Sequence, residues 1–158
     1  MSTRVGIGFD AHRLEDGREL VLGGERIDYE RGLEGHSDGD ALLHALTDAL
    51  LGSVAAPDIG ALFPPGEPEW KGASSQLFLE KARAVVEEKG FRVHQVDVVV
   101  IAQAPKLAPY IPSIRERVAG ILGIPTDSVG LKATTTDGMG FAGRGEGIAV
   151  QAVATVTS

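Results

Sequence analysis

Residues 35–54 read GHSDGDALLHALTDALLGSV, and the stretch from 38 to 54 predicts an amphipathic helix packed against a core. Its apolar side chains recur at helical spacing, at Leu42, Leu43, Leu46, Leu50 and Val54. Ser37 is a suitable N-cap residue at its start. Polar side chains four residues apart stack on a second ridge, at Asp40, His44 and Asp48. One face of the helix is therefore core, and the polar ridge is free for chemistry.

Two further helices are predicted after this one. The first is capped by Ser74 or Ser75 and ended by Gly90, with its apolar stripe at Leu77, Phe78, Ala82, Val85 and Val86. The second opens at Pro109 and Pro112 and ends at Gly123, with its stripe at Ile111, Ile114, Val118, Ile121 and Leu122. Residues 55–73, rich in proline and glycine, predict a long loop that is functional or mobile.

Strand patterns lie at both ends of the chain, at residues 5–13, 19–27, 129–136 and 148–156, and Gly23-Gly24 breaks the second of them. Residues 91–102 form another, and their VVVI run is typical of a strand covered on both faces. Helices and strands alternate irregularly, with two strands at each end. This order favours an α+β fold over a purely parallel sheet. We expect a single domain, residues 1–158, built as a sandwich of a mixed β-sheet with helices on one face.

Composition narrows the class of partner. The 158 residues carry a net charge of −7 without a Lys/Arg cluster, which argues against nucleic-acid and membrane partners. There is no cysteine, so histidine and carboxylate are the strong metal ligands available. The N-terminus lacks the apolar segment of a signal peptide, and residues 98–102 are too few to cross a bilayer. We expect a cytoplasmic protein that holds any anionic substrate through specific cations.

A candidate metal site combines the first strand with the first helix. Asp10 and His12 are two residues apart on a strand, so both point to one face, and His44 is the natural third ligand. Two histidines, one carboxylate and an open position suit catalytic zinc, and also manganese or iron. The same residues also suit an ordinary Asp–His hydrogen bond beside an independently buried His44. Spacing alone slightly favours that second interpretation.

The glycine-rich residues 138–147 could hold phosphate through backbone N–H groups, with Arg144 adding a positive fork. They lack the Lys-Ser/Thr ending of a P-loop and no helix follows, so a long hairpin turn is initially favoured. Just before them, Thr134, Thr135 and Asp137 supply the hard oxygen ligands that suit a magnesium-bound diphosphate. His36, Ser37 and Asp38 do not form a hydrolase triad, because adjacent residues at a helix start cannot face one another.

Together these motifs resemble the cyclodiphosphate synthases of the non-mevalonate isoprenoid pathway along essentially the whole chain. The resemblance rests on residues 35–52 and on flanking motifs, which are Gly6-x-Gly8-x-Asp10-x-His12-Arg13, Asp58-Ile59-Gly60, Phe63-Pro64, Lys71-Gly72, Ala102-Gln103-Ala104-Pro105-Lys106 and residues 134–147. It implies conversion of 4-diphosphocytidyl-2-C-methyl-D-erythritol 2-phosphate to 2-C-methyl-D-erythritol 2,4-cyclodiphosphate and CMP.

The resemblance also implies an assembly and a ligand set. It implies a homotrimer with active sites between neighbouring subunits, and zinc on Asp10, His12 and His44. The ribose would contact Asp58 and Gly60, and the cytosine would bind at residues 102–108. The implied substrate-binding residues are Asp10, His12, His36, Ser37, Asp58, Gly60, Ala102, Pro105, Lys106, Leu107, Ala108, Thr134, Thr135, Phe141 and Arg144.

The implied catalytic residues are Thr134, Thr135, Asp137 and His36. The threonines would position the diphosphate, Asp137 would help to hold a bridging magnesium or manganese ion, and His36 with Ser37 would line the erythritol end. The substrate's 2-phosphate would attack within the same molecule, so no protein nucleophile is needed. The resemblance further implies a cavity on the trimer axis for an isoprenoid diphosphate, lined by Phe9, Arg144 and Glu146.

Two positions depart from the family pattern. Asp137 stands where glutamate is usual, which favours ion coordination through water. Pro65 stands where aspartate is usual, so a contact to a substrate hydroxyl is lost or moves to Glu67. A non-haem iron oxygenase and a non-catalytic nucleotide- or metal-binding module remain alternatives. The oxygenase would leave residues 58–60 and 134–147 without a purpose.

Overall fold

The computed structural model describes residues 1–35, 37–64, 66–68 and 74–158. Its strands are β1 (Thr3–Asp16), β2 (Leu20–Leu22), β3 (Glu25–Ile27), β4 (Arg31–Leu33), β5 (Arg92–Ile101), β6 (Val129–Thr134) and β7 (Gly147–Thr157). Its helices are α1 (Ala41–Ser53), α2 (Ile59–Leu62), α3 (Ser75–Glu88), α4 (Ile111–Leu122) and α5 (Gly140–Gly143). Within these ranges no helix combines the length and the hydropathy needed to cross a membrane.

The described strands form a five-stranded sheet in the order β4-β1-β7-β5-β6, and β2 pairs with β3 in a separate hairpin. β5 and β6 run parallel, while the other neighbours in the sheet run antiparallel. Helix α1 contacts β1 and β7, α3 contacts β5, and α4 contacts β6. The mixed sheet and the α+β class predicted from the sequence are confirmed.

The helices cover one face of this sheet and leave the other open within the chain. On the covered face Val98 and Val100 are buried, together with alternate residues of β7. On the open face Val99 and Ile101 stay half-buried. The expectation that residues 98–101 are covered on both faces is therefore wrong for a single chain. The large apolar side chains exposed on the open face are Val5, Ile7, Phe9 and Val153.

Helix α1 is capped by Asp40 and not by Ser37. The Asp40 carboxylate accepts hydrogen bonds from the backbone N–H groups of Leu43 at 3.0 Å, Gly23 at 3.0 Å and Gly24 at 2.7 Å. The prediction that Asp40 belongs to an open polar ridge is wrong, because the side chain is fully buried and ties the β2–β3 turn to the helix. Burial raises the pKa of Asp40 to about 6, although the three N–H bonds act to lower it.

Strand β1 and helix α1 meet backbone to backbone. Gly6 and Gly8 face the helix, and a Cβ atom on either would overlap a helix carbonyl oxygen, that of Ala49 or Ala45. Glycine is therefore required at both positions for the close approach. This packing brings the side chains of His44 on α1 and of the β1 residues that follow Gly8 to one place.

Several elements differ from the sequence predictions. The break expected at Gly23-Gly24 is confirmed, but the segment 19–27 is a hairpin of two strands, because both glycines take positive φ angles, 62° and 77°, and reverse the chain. The short elements β4, α2 and α5 were not predicted, since three or four residues carry too little periodicity. The expected helix ends are confirmed: Ser74 caps α3, and Gly123, with φ 68°, ends α4 in the left-handed conformation.

Candidate active site

The structure brings Asp10, His12 and His44 together between β1 and α1. Asp10 Oδ2 lies 2.7 Å from His12 Nε2 and 3.3 Å from His44 Nδ1. One ligand atom from each residue lies within 4.8 Å of the other two. The three side chains are 15 to 26% exposed, so the group is recessed but open to a small molecule.

The hydrogen bonding of His12 prepares it to bind a metal. Its Nδ1 lies 2.6 Å from the backbone oxygen of Glu34, and a carbonyl oxygen can only accept. Nδ1 therefore carries a proton, and Nε2, which faces Asp10, is the nitrogen at which a metal ion would replace the proton shared with that carboxylate. Proteins commonly orient a metal-binding imidazole in this way, through a hydrogen bond at the ring nitrogen that does not bind the metal.

Interactions within the group shift the pKa values of Asp10 and His12. Burial raises the pKa of Asp10, but hydrogen bonds and charge interactions with His12 and His44 outweigh burial and hold it below its usual range. The hydrogen bond to Asp10 raises the pKa of His12 against the opposing effect of burial. Two imidazole nitrogens and one carboxylate oxygen facing a common point fit a divalent ion with an open coordination position.

A cleft of about 380 Å³ opens beside this group. The cleft is lined by His12, His44, Ser37 and Gly60 together with apolar side chains that include Phe63 and Phe78. Two of the predicted substrate contacts, Ser37 and Gly60, thus share a cavity with the candidate metal ligands. An apolar wall with a few convergent polar groups is typical of small-molecule sites.

The loop that carries Asp58 is attached to helix α1. Asp58 caps α2 by accepting a hydrogen bond from Ala61 N at 2.9 Å, and its side chain is exposed. Asp48 accepts a hydrogen bond from Ile59 N at 2.8 Å. Burial raises the pKa of Asp48, and this N–H bond opposes the rise. Since Asp48 follows His44 by one helical turn, one helix holds both a candidate metal ligand and the candidate ribose loop.

The predicted diphosphate segment lies away from this cleft in the chain. Ala11 pairs with Ala149, and Ala149 pairs with Ile101. Ile101 in turn pairs with Thr134 on β6. Three strand spacings of about 4.8 Å put Thr134 about 14 Å from Ala11. A diphosphate is too short to bridge that distance, so one chain does not unite the two predicted halves of the site.

The segments predicted to bind cytosine and diphosphate lie side by side at the β6 edge. Ala102 N donates to Thr134 O at 2.9 Å, and Gly138 N donates to the Gln103 side chain at 3.2 Å. Among the residues predicted to contact cytosine, Ala102 and Leu107 have buried side chains, so their exposed neighbours or their backbone atoms would make the contacts.

Exposed groups follow in the turn that leads from the β6 edge back to β7, where Phe141 lines a cavity with His12 and Arg13. Asp137 has φ 53°, and its N–H donates to Thr135 Oγ1 at 3.2 Å. Arg144 pairs with Glu146 at 3.1 Å, and both side chains are exposed. Phe141 is 42% exposed. These residues are therefore available to a ligand or to another chain.

Some predicted site residues fall outside the described residues. They are His36, Pro65 and the Lys71-Gly72 motif.

Sequence reasoning did not find three groups that surround the triad. Ser75 Oγ lies 2.8 Å from His44 Nε2 and is hydrogen-bonded to Asp38, and Glu34 contributes only its backbone oxygen. The sequence predicts Ser75 only as a possible helix cap. No sequence spacing links residues 38, 44 and 75, so the chain offers no signal for this contact.

The family model described as the YgbB family matches residues 3–157. A 2-C-methyl-D-erythritol 2,4-cyclodiphosphate synthase of Desulforamulus reducens is 56% identical over 153 residues, which cover 97% of this chain and 98% of the relative. A solved structure of 2C-methyl-D-erythritol-2,4-cyclodiphosphate synthase in a CDP-bound form is 38% identical, with a TM-score of 0.91, and the match covers 98% of this chain and 100% of that one.

Other relatives are longer. A bifunctional enzyme IspD/IspF of Novosphingobium aromaticivorans is 56% identical over 155 residues, which cover 98% of this chain. The chain spans 40% of the length of such bifunctional relatives. With a family model that matches nearly its whole length and with relatives above half identity, the chain belongs to the YgbB family.

Proposed function

We propose that the chain is an enzyme that converts 4-diphosphocytidyl-2-C-methyl-D-erythritol 2-phosphate to 2-C-methyl-D-erythritol 2,4-cyclodiphosphate and CMP. This reaction would make it a phosphorus–oxygen lyase of isoprenoid precursor synthesis. The observation that carries the proposal is the convergence of Asp10, His12 and His44 beside a cleft, in a chain whose relatives are cyclodiphosphate synthases. A structural neighbour that binds CDP supports a cytidine diphosphate as the ligand.

Asp10, His12 and His44 would hold zinc, and Asp137 would help to hold magnesium or manganese. When bound, the two ions would supply Lewis-acid polarisation and charge neutralisation for the phosphate oxygens. The fit rests on the donor set and on the tautomer of His12, whose Nδ1–H is committed to Glu34 O. An acidic protein would in this way bind a polyanionic substrate.

The other proposed residues would act by holding the substrate in position for the reaction. In the proposed reaction an oxygen of the 2-phosphate forms a bond to the β-phosphorus, while the bond from that phosphorus to the bridging oxygen breaks and the oxygen leaves with CMP. Asp58 and Gly60 would hold the ribose, residues 102–108 the cytosine, and the hydroxyls of Thr134 and Thr135 the diphosphate. Because both reacting groups belong to one molecule, holding them in line contributes much of the rate.

The proposed active enzyme is a homotrimer. Thr134 lies about 14 Å from Ala11 across three strand spacings, so the diphosphate half of the site must come from a neighbouring copy. The open sheet face supports association, since Val5, Ile7 and Phe9 are each more than half exposed. Contiguous apolar surface of this kind marks protein interfaces.

An isoprenoid diphosphate is a second proposed ligand, bound on the trimer axis. Phe9 is 57% exposed on the open face, and Arg144 offers a guanidinium for the diphosphate. The binding of farnesyl diphosphate to the trimer should weaken in Arg144→Ala. Undiminished binding by calorimetry would remove this ligand from the proposed function.

Phosphorus NMR tests the reaction directly. The wild type, supplied with the substrate, zinc and magnesium, should produce the cyclic diphosphate and CMP, and His44→Ala should not. Unchanged substrate from folded, zinc-loaded wild type would contradict the proposed activity. CDP binding without turnover would then favour a non-catalytic nucleotide-binding module.

A further inference from the structure

His44 makes hydrogen bonds on the side of its ring that faces away from the candidate metal site. Its Nδ1 faces Asp10, whereas its Nε2 lies 2.8 Å from Ser75 Oγ. Ser75 Oγ is also hydrogen-bonded to Asp38 Oδ1. The contact joins the first turn of α3 to the first turn of α1 through a Ser75 side chain that is fully buried. Nothing in the proposed reaction uses this connection.

The direction of each hydrogen bond follows from the donors available. Both Asp38 oxygens already accept backbone N–H groups, Oδ1 from Asp40 and Oδ2 from Ser75, each at 3.0 Å. A carboxylate engaged in this way accepts, so the single hydroxyl proton of Ser75 points to Asp38. Ser75 Oγ must then accept from His44 Nε2–H. Nδ1 then faces Asp10, where it carries either a proton that it donates to the carboxylate or, in place of that proton, an ion.

On the basis of the metal site in the proposed function, we propose that Ser75 and Asp38 are positioning residues for the metal ligand His44. They hold its imidazole in the Nε2–H tautomer and aim the Nδ1 lone pair at the ion. The backbone oxygen of Glu34 does the same for His12. On each imidazole, an acceptor outside the candidate site thus binds one ring nitrogen and leaves the other to face the metal position.

The surroundings make Ser75 hard to replace. Among the described residues, Ser37 Oγ is an alternative acceptor for His44, at a longer 3.4 Å. Phe78 packs against the His44 ring at a centroid distance of 6.3 Å and adds an apolar wall. Removal of the hydroxyl therefore leaves Nε2–H without an equally good partner, and an unmet buried donor disfavours that tautomer.

Ser75→Ala and its neighbour Ser74→Ala form a matched pair. Ser75→Ala removes the hydroxyl and keeps the backbone N–H bond to Asp38. Ser74→Ala removes the α3 cap, a 3.4 Å bond to Leu77 N, without touching His44. In zinc competition titrations of the full chain, Ser75→Ala should raise the zinc Kd by about 10- to 100-fold, the usual effect of losing such an orienting contact. Ser74→Ala should bind zinc as the wild type does.

Imidazole ¹⁵N NMR separates positioning from a general loss of stability. In zinc-loaded wild type, His44 should carry its proton on Nε2, with slow solvent exchange, and the metal-free ring should keep that Nε2 proton. Ser75→Ala should lose the slow exchange and populate the Nδ1–H tautomer when metal-free. A folded Ser75→Ala protein with wild-type zinc Kd and an unchanged Nε2–H signal would overturn the proposal.

Asp38→Asn supplies a second route if Ser75→Ala does not fold. The asparagine amide can donate a hydrogen bond to Ser75 Oγ and so turn the Ser75 hydroxyl proton toward His44. The Nε2–H tautomer of His44 should then decline, and an unchanged tautomer would count against the proposal.

A wild type that binds no zinc would contradict the proposed metal site. The metal-free wild type would still test the hydrogen-bonded chain, which fails if Nε2 of His44 carries no proton.

Discussion

Three buried or half-buried aspartates near the N-terminal half of α1 have different roles, because each carboxylate meets different partners. Asp10 faces two imidazoles and its pKa is lowered overall. Asp40 meets only backbone N–H groups in a fully buried position, and its pKa rises to about 6. Asp38 accepts from the backbone and from the Ser75 hydroxyl. Residue type alone does not separate a metal ligand, a cap and a positioning group.

Asp40 should impose a measurable pH dependence on stability. Its folded-state pKa of about 6 exceeds its ordinary value of 3.8, so the folded protein binds this proton more tightly than the unfolded chain. The contribution of Asp40 to the free energy of unfolding should fall as pH rises from 4 to 6, by about 3 kcal/mol, and stay level above that range.

Urea unfolding of wild type and Asp40→Asn with a chelator present measures this effect, since other titrating groups cancel in the difference. The stability of the wild type relative to the variant should decline between pH 4 and 6. A difference that rises with pH would show that the N–H bonds outweigh burial.

At the scale of elements, the contact between β1 and α1 depends on glycine. Gly8→Ala would put a methyl group into the Ala45 carbonyl oxygen, and the helix must shift to relieve the overlap. We expect a loss of about 3 kcal/mol in the free energy of unfolding, at the upper end of ordinary overpacking. The shift would also separate His44 from β1, so zinc affinity should fall as well.

Gly120→Ala is the control for this prediction. Gly120 lies inside α4 with an ordinary φ angle, and no atom lies within 4 Å of the position that an alanine methyl group would take. Alanine there should stabilise the protein by about 0.5–1 kcal/mol through helix propensity. Equal destabilisation by both substitutions would mean that packing against α1 is not the cause.

Helix α1 should couple the metal site to the nucleotide site through Asp48. Asp48→Ala removes the acceptor for Ile59 N and releases the start of α2, which carries the proposed ribose contacts. Calorimetry should show CDP affinity reduced by about tenfold, the cost of one hydrogen bond of ordinary strength. The zinc Kd should change less than the CDP Kd, because Asp48 interacts with Asp10 and His44 through charge only and its hydrogen bond goes to Ile59; an equal loss of zinc affinity would contradict the prediction.

At the scale of the whole molecule, the proposed site is divided between β1 and the β6 edge of the sheet. The triad lies at β1 beside α1, and the threonine segment ends β6 at the opposite side of β7 and β5. Pairing across the sheet makes this separation rigid, because every intervening strand is hydrogen-bonded. Only an assembly that places the β6 edge of one copy beside the β1 region of another can complete the proposed site.

Complementation between two inactive variants tests this arrangement. His44→Ala lacks a metal ligand, and Thr135→Ala lacks a proposed diphosphate contact, so each homotrimer should be strongly impaired. If the co-expressed chains mix at random, about a quarter of the interfaces should combine an intact His44 from one chain with an intact Thr135 from its neighbour. Each of the two residues is intact with a probability of about one half. Activity no higher than that of the separate variants would indicate that each site is built within one chain.

Local patterns in the sequence predicted the parts of the fold that local interactions control. The periodicity of residues 38–54 predicted α1, and Gly123 marked the end of α4, because spacing and backbone freedom are properties of neighbouring residues. The i, i+2 spacing placed Asp10 and His12 on one face of β1 for the same reason. The resemblance in residues 35–52 led to the family that the comparisons show.

Tertiary structure alone decided which of these groups meet. The sequence by itself determined the three main helices, the α+β class and the family, since repeating side-chain patterns specify them. It did not determine that Asp40 is buried under the β2–β3 turn, that Ser75 meets His44, or that Thr134 lies three strands from Ala11. Those contacts join residues far apart in the chain, and the order of strands and the packing of helices create them.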